Sequence, residues 1–479
     1  MKSVERIPVT LIRFAALAMG LSLLWTTALW SQTDAAPQSP VPPLAGADNS
    51  AAAAPQNSSD SGNDRMLVPP PVSGATYPME PTAEARANYL RGAVTFTGAY
   101  TDNAVGAVQG HPISDVSYSV GPNLAIDEST PRLHWISTYA PGFTFYRRET
   151  NRNEADQNAG IQFEYRLSPH VTFSARDSFQ KSSNVFNQPD LAASEAVSGN
   201  AQGANFALIT PIADRLSNYG NVGLSYQFGR NGMIGGGGTF SNFHYPSPAQ
   251  VPGLFDSESQ GGFFFYSLRI SKMHYLGASY QYQRLLSFPS EGTDETQTHG
   301  ALLFYTVYVS QRFSISFFGG PQYSETVQPP LPPLQLQVPE ARAWTPMAGA
   351  SLGWQGRLNS LSISYSHSIS GGGGLVGAFH MDSGSATVRQ QITRSLGAAL
   401  AGAYTQNNVI GSPALSTGSG HSVSGTASLQ QSLGQQLNLQ LGYSRVHQDY
   451  SQVAVIATTP DTNREFVALS YQFSRPLGR

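Results

Sequence analysis

The chain has no cysteine and little charge. Without cysteine there is no disulfide framework, no thiolate metal site, no thiol nucleophile and no lipidated N-terminal cysteine. Charged residues make up 12% of the 479, about half of the roughly 25% usual in soluble domains. Hydrophobic residues, at 40%, do not fill the difference; Gly, Ser, Thr, Asn and Gln do. A net charge of −3 and no basic run give no argument for nucleic acid. Long apolar runs are scarce as well. The one near the start, Phe14 to Trp25, follows Lys2, Arg6 and Arg13 and ends in the small residues Thr26 to Ala28. That is the layout of an export signal, taken as residues 1–31, and it is shorter than the about 20 apolar residues of a spanning helix. A membrane anchor is the alternative. No later run is long enough to cross as a helix, so any further span must be made of strands.

Residues 32–84 are Ala, Pro, Ser, Asn and Asp with almost no aromatics, as in "PQSPVPPLAGADNSAAAAPQNSSDSGND". Such a composition buries too little to order itself, and it reads as a disordered, partly polyproline periplasmic arm.

From residue 85 to 479 the pattern is alternation rather than helical periodicity. "LSISYSHSIS", Leu361 to Ser370, sets Leu-Ile-Tyr-His-Ile against five serines; "VGLSYQF" and "QLNLQLGYS" alternate in the same way. About eighteen such segments are expected (16–20), near 89–101, 114–126, 132–147, 157–168, 170–181, 219–229, 231–245, 261–271 and 273–285 in the first half. The second half adds 297–310, 312–325, 345–355, 359–370, 378–391, 394–406, 420–432, 435–447 and 463–474.

The connections alternate too. "DESTP", "LSPH", "GRNG", "SKMH", "SQR", "GRLN", "ITRS" and "LGQQ" are tight, and long segments lie between them, including the loop 182–217 and "TVQPPLPPLQLQVPEAR". Two ends built to different rules suit a transmembrane barrel, with short periplasmic turns and long external loops. A sandwich need not alternate in this way. Rings fall near the expected interfaces, with Tyr100, Phe145, Tyr282, Tyr323 and Tyr443 at the outer one and Tyr226, Phe228, Trp354, Tyr471 and Phe473 at the inner one. Mid-strand rings would mark a soluble core instead. The expected fold class is therefore all-β: a transmembrane antiparallel up-and-down barrel. Its apolar rows face lipid, and its serines and amides face a wet bore.

In this pattern residues 85–479 resemble bacterial outer-membrane β-barrels of porin size, with no subfamily motif. The last strand, "NREFVALSYQFSR", looks like the assembly signal of such proteins through Tyr471 and Phe473. It departs from that signal in having Ala468 where glycine is common and "SRPLGR" after the last Phe. The resemblance implies export through the inner membrane, outer-membrane lipid and the barrel-assembly machinery as partners, and a homotrimer as one assembly. In porins the third external loop folds into the lumen. Here it carries Asp190, Glu195 and Asp214, and parity puts Arg91, Glu164, Arg166, Arg176, Arg269 and Arg389 on the bore face. An acidic loop against a basic wall would set a transverse field at a constriction; a loop lying outside the barrel is the alternative.

Enzymatic chemistry finds no support here. Outer-membrane phospholipases place a His and a nucleophilic Ser two residues apart on a lipid-facing strand. In this chain Ile369 stands two after His367, and Ser368 and Ser370 point the other way. Neither Gly235–Gly238 nor Gly371–Gly374 is followed by a Lys-Ser/Thr or opens a helix. The ten histidines are scattered. No catalytic, cofactor or metal site is expected. The function expected is a non-enzymatic channel for passive diffusion of small hydrophilic solutes. The alternatives are a polymer-export or secretion conduit that uses the arm to meet a periplasmic partner, and a structural or adhesive barrel acting through its loops.

Overall fold

The computed structural model describes residues 88–104, 112–182, 215–247, 254–289, 292–310, 312–327, 340–371, 374–375, 377–410, 419–450 and 461–477. The signal and arm, residues 1–84, lie outside the described residues, as do Asp190, Glu195 and Asp214.

Eighteen strands follow one another. They are β1 Tyr89–Thr101, β2 Asp115–Ser129, β3 Leu133–Tyr146, β4 Glu154–Arg166, β5 Val171–Ser182 and β6 Arg215–Phe228. Next come β7 Gly232–His244, β8 Ser257–Arg269, β9 His274–Ser287, β10 Asp294–Ser310, β11 Phe313–Val327 and β12 Ala341–Gln355. The last six are β13 Asn359–Gly371, β14 Ala378–Gln391, β15 Leu396–Ile410, β16 Ser419–Ser432, β17 Leu437–Asp449 and β18 Asp461–Pro476. Each pairs antiparallel with the next, and β1 pairs with β18, so the sheet closes on itself. The result is an up-and-down barrel. Eight connections are turns of two to four residues and all lie at one end, with the first and last residues of the sheet. The other end carries the longer loops.

Alternation decides which face is outside. Phe96, Tyr118, Phe145, Val222, Leu303, Phe317 and Tyr471 are all exposed on the outward face. Their inward neighbours Thr95, Ser117, Thr144, Thr306, Ser316 and Ser470 are buried. A greasy exterior and a hydroxyl-rich interior are the inverse of a soluble protein, and they hold only where the surroundings are lipid. On β12, Trp344 and Trp354 lie on one outward face ten residues apart, which is about 34 Å along the strand and about 25 Å after tilt, the height of a lipid-facing band. The protein is a transmembrane β-barrel.

Strands of 12 to 17 residues exceed the about 9–11 needed to cross, and the surplus is mostly at the long-loop end. There the outward face turns polar. Arg284 pairs with Glu295 at 2.8 Å, Arg342 with Glu325 at 2.9 Å and Arg445 with Asp461 at 3.2 Å. These pairs stand beyond the outer ring of aromatics, where head groups and water replace acyl chains.

Rings also cover glycines across strands. Phe318 lies over Gly349, Phe304 over Gly277 and Phe265 over Gly235 on the bore wall, so that a Cβ at any of these glycines would strike the ring. This accounts for two glycines of the run Gly235–Gly238: Gly235 seats the Phe265 ring and Gly237 the Phe263 ring, while Gly236 and Gly238 meet mainly the backbone of β8. It also explains two apolar patches on the bore wall. One is Met233, Phe265 and Tyr275; the other is Leu302, Phe304, Phe318 and Met347.

Candidate functional site

The bore wall places the basic residues at different heights. Arg91 sits at the short-turn end, where its guanidinium reaches Asp127 at 3.4 Å; His134 meets the same carboxylate at 3.2 Å. Glu164 and Arg166 end β4 on the same rim, 3.9 Å apart. Arg269 ends β8 and donates to the Arg230 carbonyl at 2.8 Å and to Asn231 at 3.3 Å, clamping the turn between β6 and β7. Arg389 lies opposite Ser360, also near the short-turn end. Arg176 alone of the set stands at mid-height, paired in register with Gln162 and Asn221. The structure thus brings Arg91, Glu164 and Arg166 to one rim and leaves Arg176 nearest the long-loop end of the barrel.

The other end of the bore is covered by a part of the chain that alternation alone did not single out. The pairing of β12 with β13 ends at Ala348 and His367. Beyond it, β12 continues for seven residues beside β11, and β13 continues for four beside β14. There β13 turns inside the wall. The Ile369 amide donates to Gln322 Oε1 of β11 at 3.2 Å. Ile369, Ala378 and Ile410 gather with Leu285 of β9 into a buried apolar cluster. The tip that follows reaches further, and Phe255 N–H donates to the Gly374 carbonyl at 2.7 Å. Gly374 and Gly377 have φ of +116° and +98°, and a side chain at Gly374 would meet the Tyr245 ring. Glycine is required there on both counts. Tyr245 is buried and accepts a hydrogen bond from Arg215; burial pushes its phenol up to about 12, so it stays neutral.

Prolines account for the break. Pro321 of β11 and Pro346 of β12 are directly opposed. Two prolines have no amide hydrogens to exchange, so theirs is a non-hydrogen-bonded pair, and each turns its missing donor toward its other neighbour. For Pro346 that neighbour is β13, and the pairing with it stops two residues short of Pro346, at Ala348. For Pro321 it is β10, whose register with β11 skips Ala301 and Leu302. The signal was present in the sequence as a proline inside an expected strand.

The overlap buries polar groups. Thr298 and Gln322 are both 0% exposed. Gln283 Oε1, Thr298 Oγ1, Gln322 Nε2, Thr345 Oγ1 and Ser368 Oγ are buried with no hydrogen-bond partner among the described residues. On the lipid side of the same break, His367 Nδ1 lies 2.9 Å from Asp382, whose Oδ1 also accepts from Tyr365 at 2.7 Å, and His380 stacks on His367. Ser368 and Ser370 are buried on the opposite side, so the imidazole has a carboxylate partner and no serine hydroxyl is brought to it among the described residues. Tyr471 and Phe473 face outward at the short-turn end, with Phe473 over Gly92 of β1 and Tyr471 donating to Gln436 at 3.0 Å.

No protein-family model matches the chain, and no curated protein sequence matches it. Solved structures do. The FrpB iron transporter from Neisseria meningitidis (F3-3 variant) is 10% identical at a TM-score of 0.39, over 81% of this chain and 67% of its own. OccAB4 of Acinetobacter baumannii is 10% identical at 0.39, over 81% and 99%. OpdQ of Pseudomonas aeruginosa is 11% identical at 0.39, over 81% and 98%. At these values the likenesses add nothing to what the closed barrel itself establishes.

Proposed function

We propose that the protein is a channel through which small hydrophilic solutes cross the outer membrane by diffusion, without enzymatic chemistry. The observation that carries the reading is the inward face of a closed 18-stranded barrel, made of Ser, Thr, Asn and Gln from nearly every strand. Barrels of this strand number leave an aqueous channel unless a loop plugs it. Arg91, Arg166, Arg269 and Arg389 toward the inner rim, with Glu164 among them, and Arg176 at mid-height give the wall a basic excess. Asp190, Glu195 and Asp214 on the third long loop would supply the opposing sign at a constriction. Tyr471 and Phe473 would serve as the signal read by the barrel-assembly machinery after an export signal is cleaved, and a homotrimer is the expected assembly.

Planar-bilayer recording of the refolded full chain tests the reading. Discrete conductance steps are expected, with a reversal potential in a salt gradient showing weak anion preference. A barrel that gives no steps, even after the tip 372–377 is shortened, overturns the channel. Cation preference overturns the role given to the arginines.

A further inference from the structure

The geometry points to a second way in: the break between β12 and β13 is a lateral port through which a single-chain amphiphile, an acyl tail with a hydrogen-bonding head, enters the wall from the outer leaflet. This inference does not rest on the diffusion of hydrophilic solutes through the bore.

Three observations carry it. The first is the break itself. Inside a membrane every backbone polar group needs a partner, which is why barrels close. Here β12 from Ala341 to Met347 has β11 on one side and, among the described residues, no paired strand on the other. Its neighbour's continuation lies within the wall, held by the Ile369–Gln322 bond. The second is position. Trp344, 71% exposed, marks the outer girdle on this strand, and Met347 lies three residues below it, level with the top of the acyl chains. An opening at that height faces lipid tails and head groups rather than bulk water. The third is the lining. On the β12 side the break leads to Met347, Phe318, Phe304 and Leu302; on the β13 side it leads to Ile369, Leu285 and Ile410. Two apolar clusters reached from the two edges of one break suit a tail. Beside them lie Gln322 Nε2 and Thr345 Oγ1, buried with no hydrogen-bond partner among the described residues. Buried donors and acceptors left unpaired are costly and rare. They suit a head group that both gives and takes hydrogen bonds, and His367 and Asp382 stand at the entrance on the lipid side.

The layers part when β13 to β15 move away from the inner face of β9 to β11. Nothing covalent changes; the Ile369–Gln322 bond and the Leu285 contact are exchanged for contacts to the ligand. A free sugar or a salt would have no use for the apolar walls, and a two-tailed lipid would need a gap wider than one unpaired edge.

The test uses the full chain in phosphatidylcholine vesicles with dodecanoic acid carrying a terminal diazirine. After illumination, mass spectrometry is expected to find adducts on Met347, Ile369 and Leu285, inside the wall, besides those on outward residues such as Leu352 and Ile363. Because the chain has no cysteine, Leu285→Cys/Ile369→Cys places a single lockable pair across the layers. Oxidation is expected to lower the interior adducts at least tenfold and leave the outward ones unchanged, and reduction should restore them. Should the pair not oxidise, Pro346→Ala, which returns a donor to the β12 edge, is expected to lower interior labelling severalfold. Interior residues that stay unlabelled in the wild type, their polar groups met by water only, overturn the port. So does labelling that neither the lock nor Pro346→Ala reduces. Conductance is read in parallel, so that loss of the port and loss of the channel are told apart.

Discussion

The barrel has two seams of very different quality. Where the sheet closes, β1 runs beside β18 for its whole length, Tyr89 opposite Pro476 through Thr101 opposite Arg464, and the Leu477 amide extends the ladder to the Asn88 carbonyl at 2.7 Å. Where β12 meets β13 the ladder covers Ala348 to Gln355 only. The closing seam joins residues nearly four hundred apart in sequence, the broken one two successive strands separated by a three-residue turn. Distance along the chain is therefore not what weakens a seam. The broken seam stops beside Pro346, which has no donor to give β13.

The largest effect expected from this contrast is in hydrogen exchange. The Arg342 and Trp344 amides of β12, which face the same unpaired side as the missing donor of Pro346, should exchange roughly a thousandfold faster than those at the middle of β1, a difference of about 4 kcal/mol in local opening. Equal protection would erase the distinction between the seams.

Two phenylalanines on β11 compare the two faces of one strand. Phe318 is buried over Gly349, whereas Phe317 is 51% exposed to lipid. Phe318→Ala should cost about 3–5 kcal/mol in urea unfolding from micelles, and Phe317→Ala clearly less. Two glycines make a sharper pair. A Cβ at Gly320 would meet the Ala301 carbonyl and Leu302 Cα, both backbone, while Gly98 has nothing within 4 Å. Gly320→Val is expected to prevent the heat-modifiable folded band, and Gly98→Val to leave it in place. Pro346→Ala should move the broken seam toward the closed one, adding about 0.5–1.5 kcal/mol and slowing exchange at Trp344. The smallest effect concerns charge at two heights. Arg176→Ala, at mid-bore, should shift the reversal potential toward cations by a few millivolts in a tenfold salt gradient. Arg91→Ala, whose charge is already met by Asp127, should shift it less.

Much of the architecture could be read from the residues. Eighteen strands were expected and eighteen are present, and the segment expected at 89–101 is β1 to the residue. The segments fell short mainly at the long-loop end: 219–229 begins at Arg215 and 345–355 at Ala341. There the outward residues become Arg, Glu, His and Asn, so the apolar signal stops while the backbone pairing goes on. The site was less legible. Parity gave a face to each arginine but no height, because alternation carries no information on register against distant strands. The cover over the mouth went unseen for another reason. Ile369 continues the apolar row begun at Leu361, and nothing local says that its row leaves lipid two residues after His367.

What the amino-acid order determined alone is the local geometry: which side chains share a face, where the chain turns, where a ring can lie over a glycine and where prolines remove a donor. These follow from a period of two and from the bonding capacity of single residues. What tertiary structure decided is where the tops of β13 to β15 go once the ladder fails. That outcome depends on Gln322, Leu285 and Phe255, each on a different strand or loop, offering partners at one place. Only closure of the sheet brings them within reach.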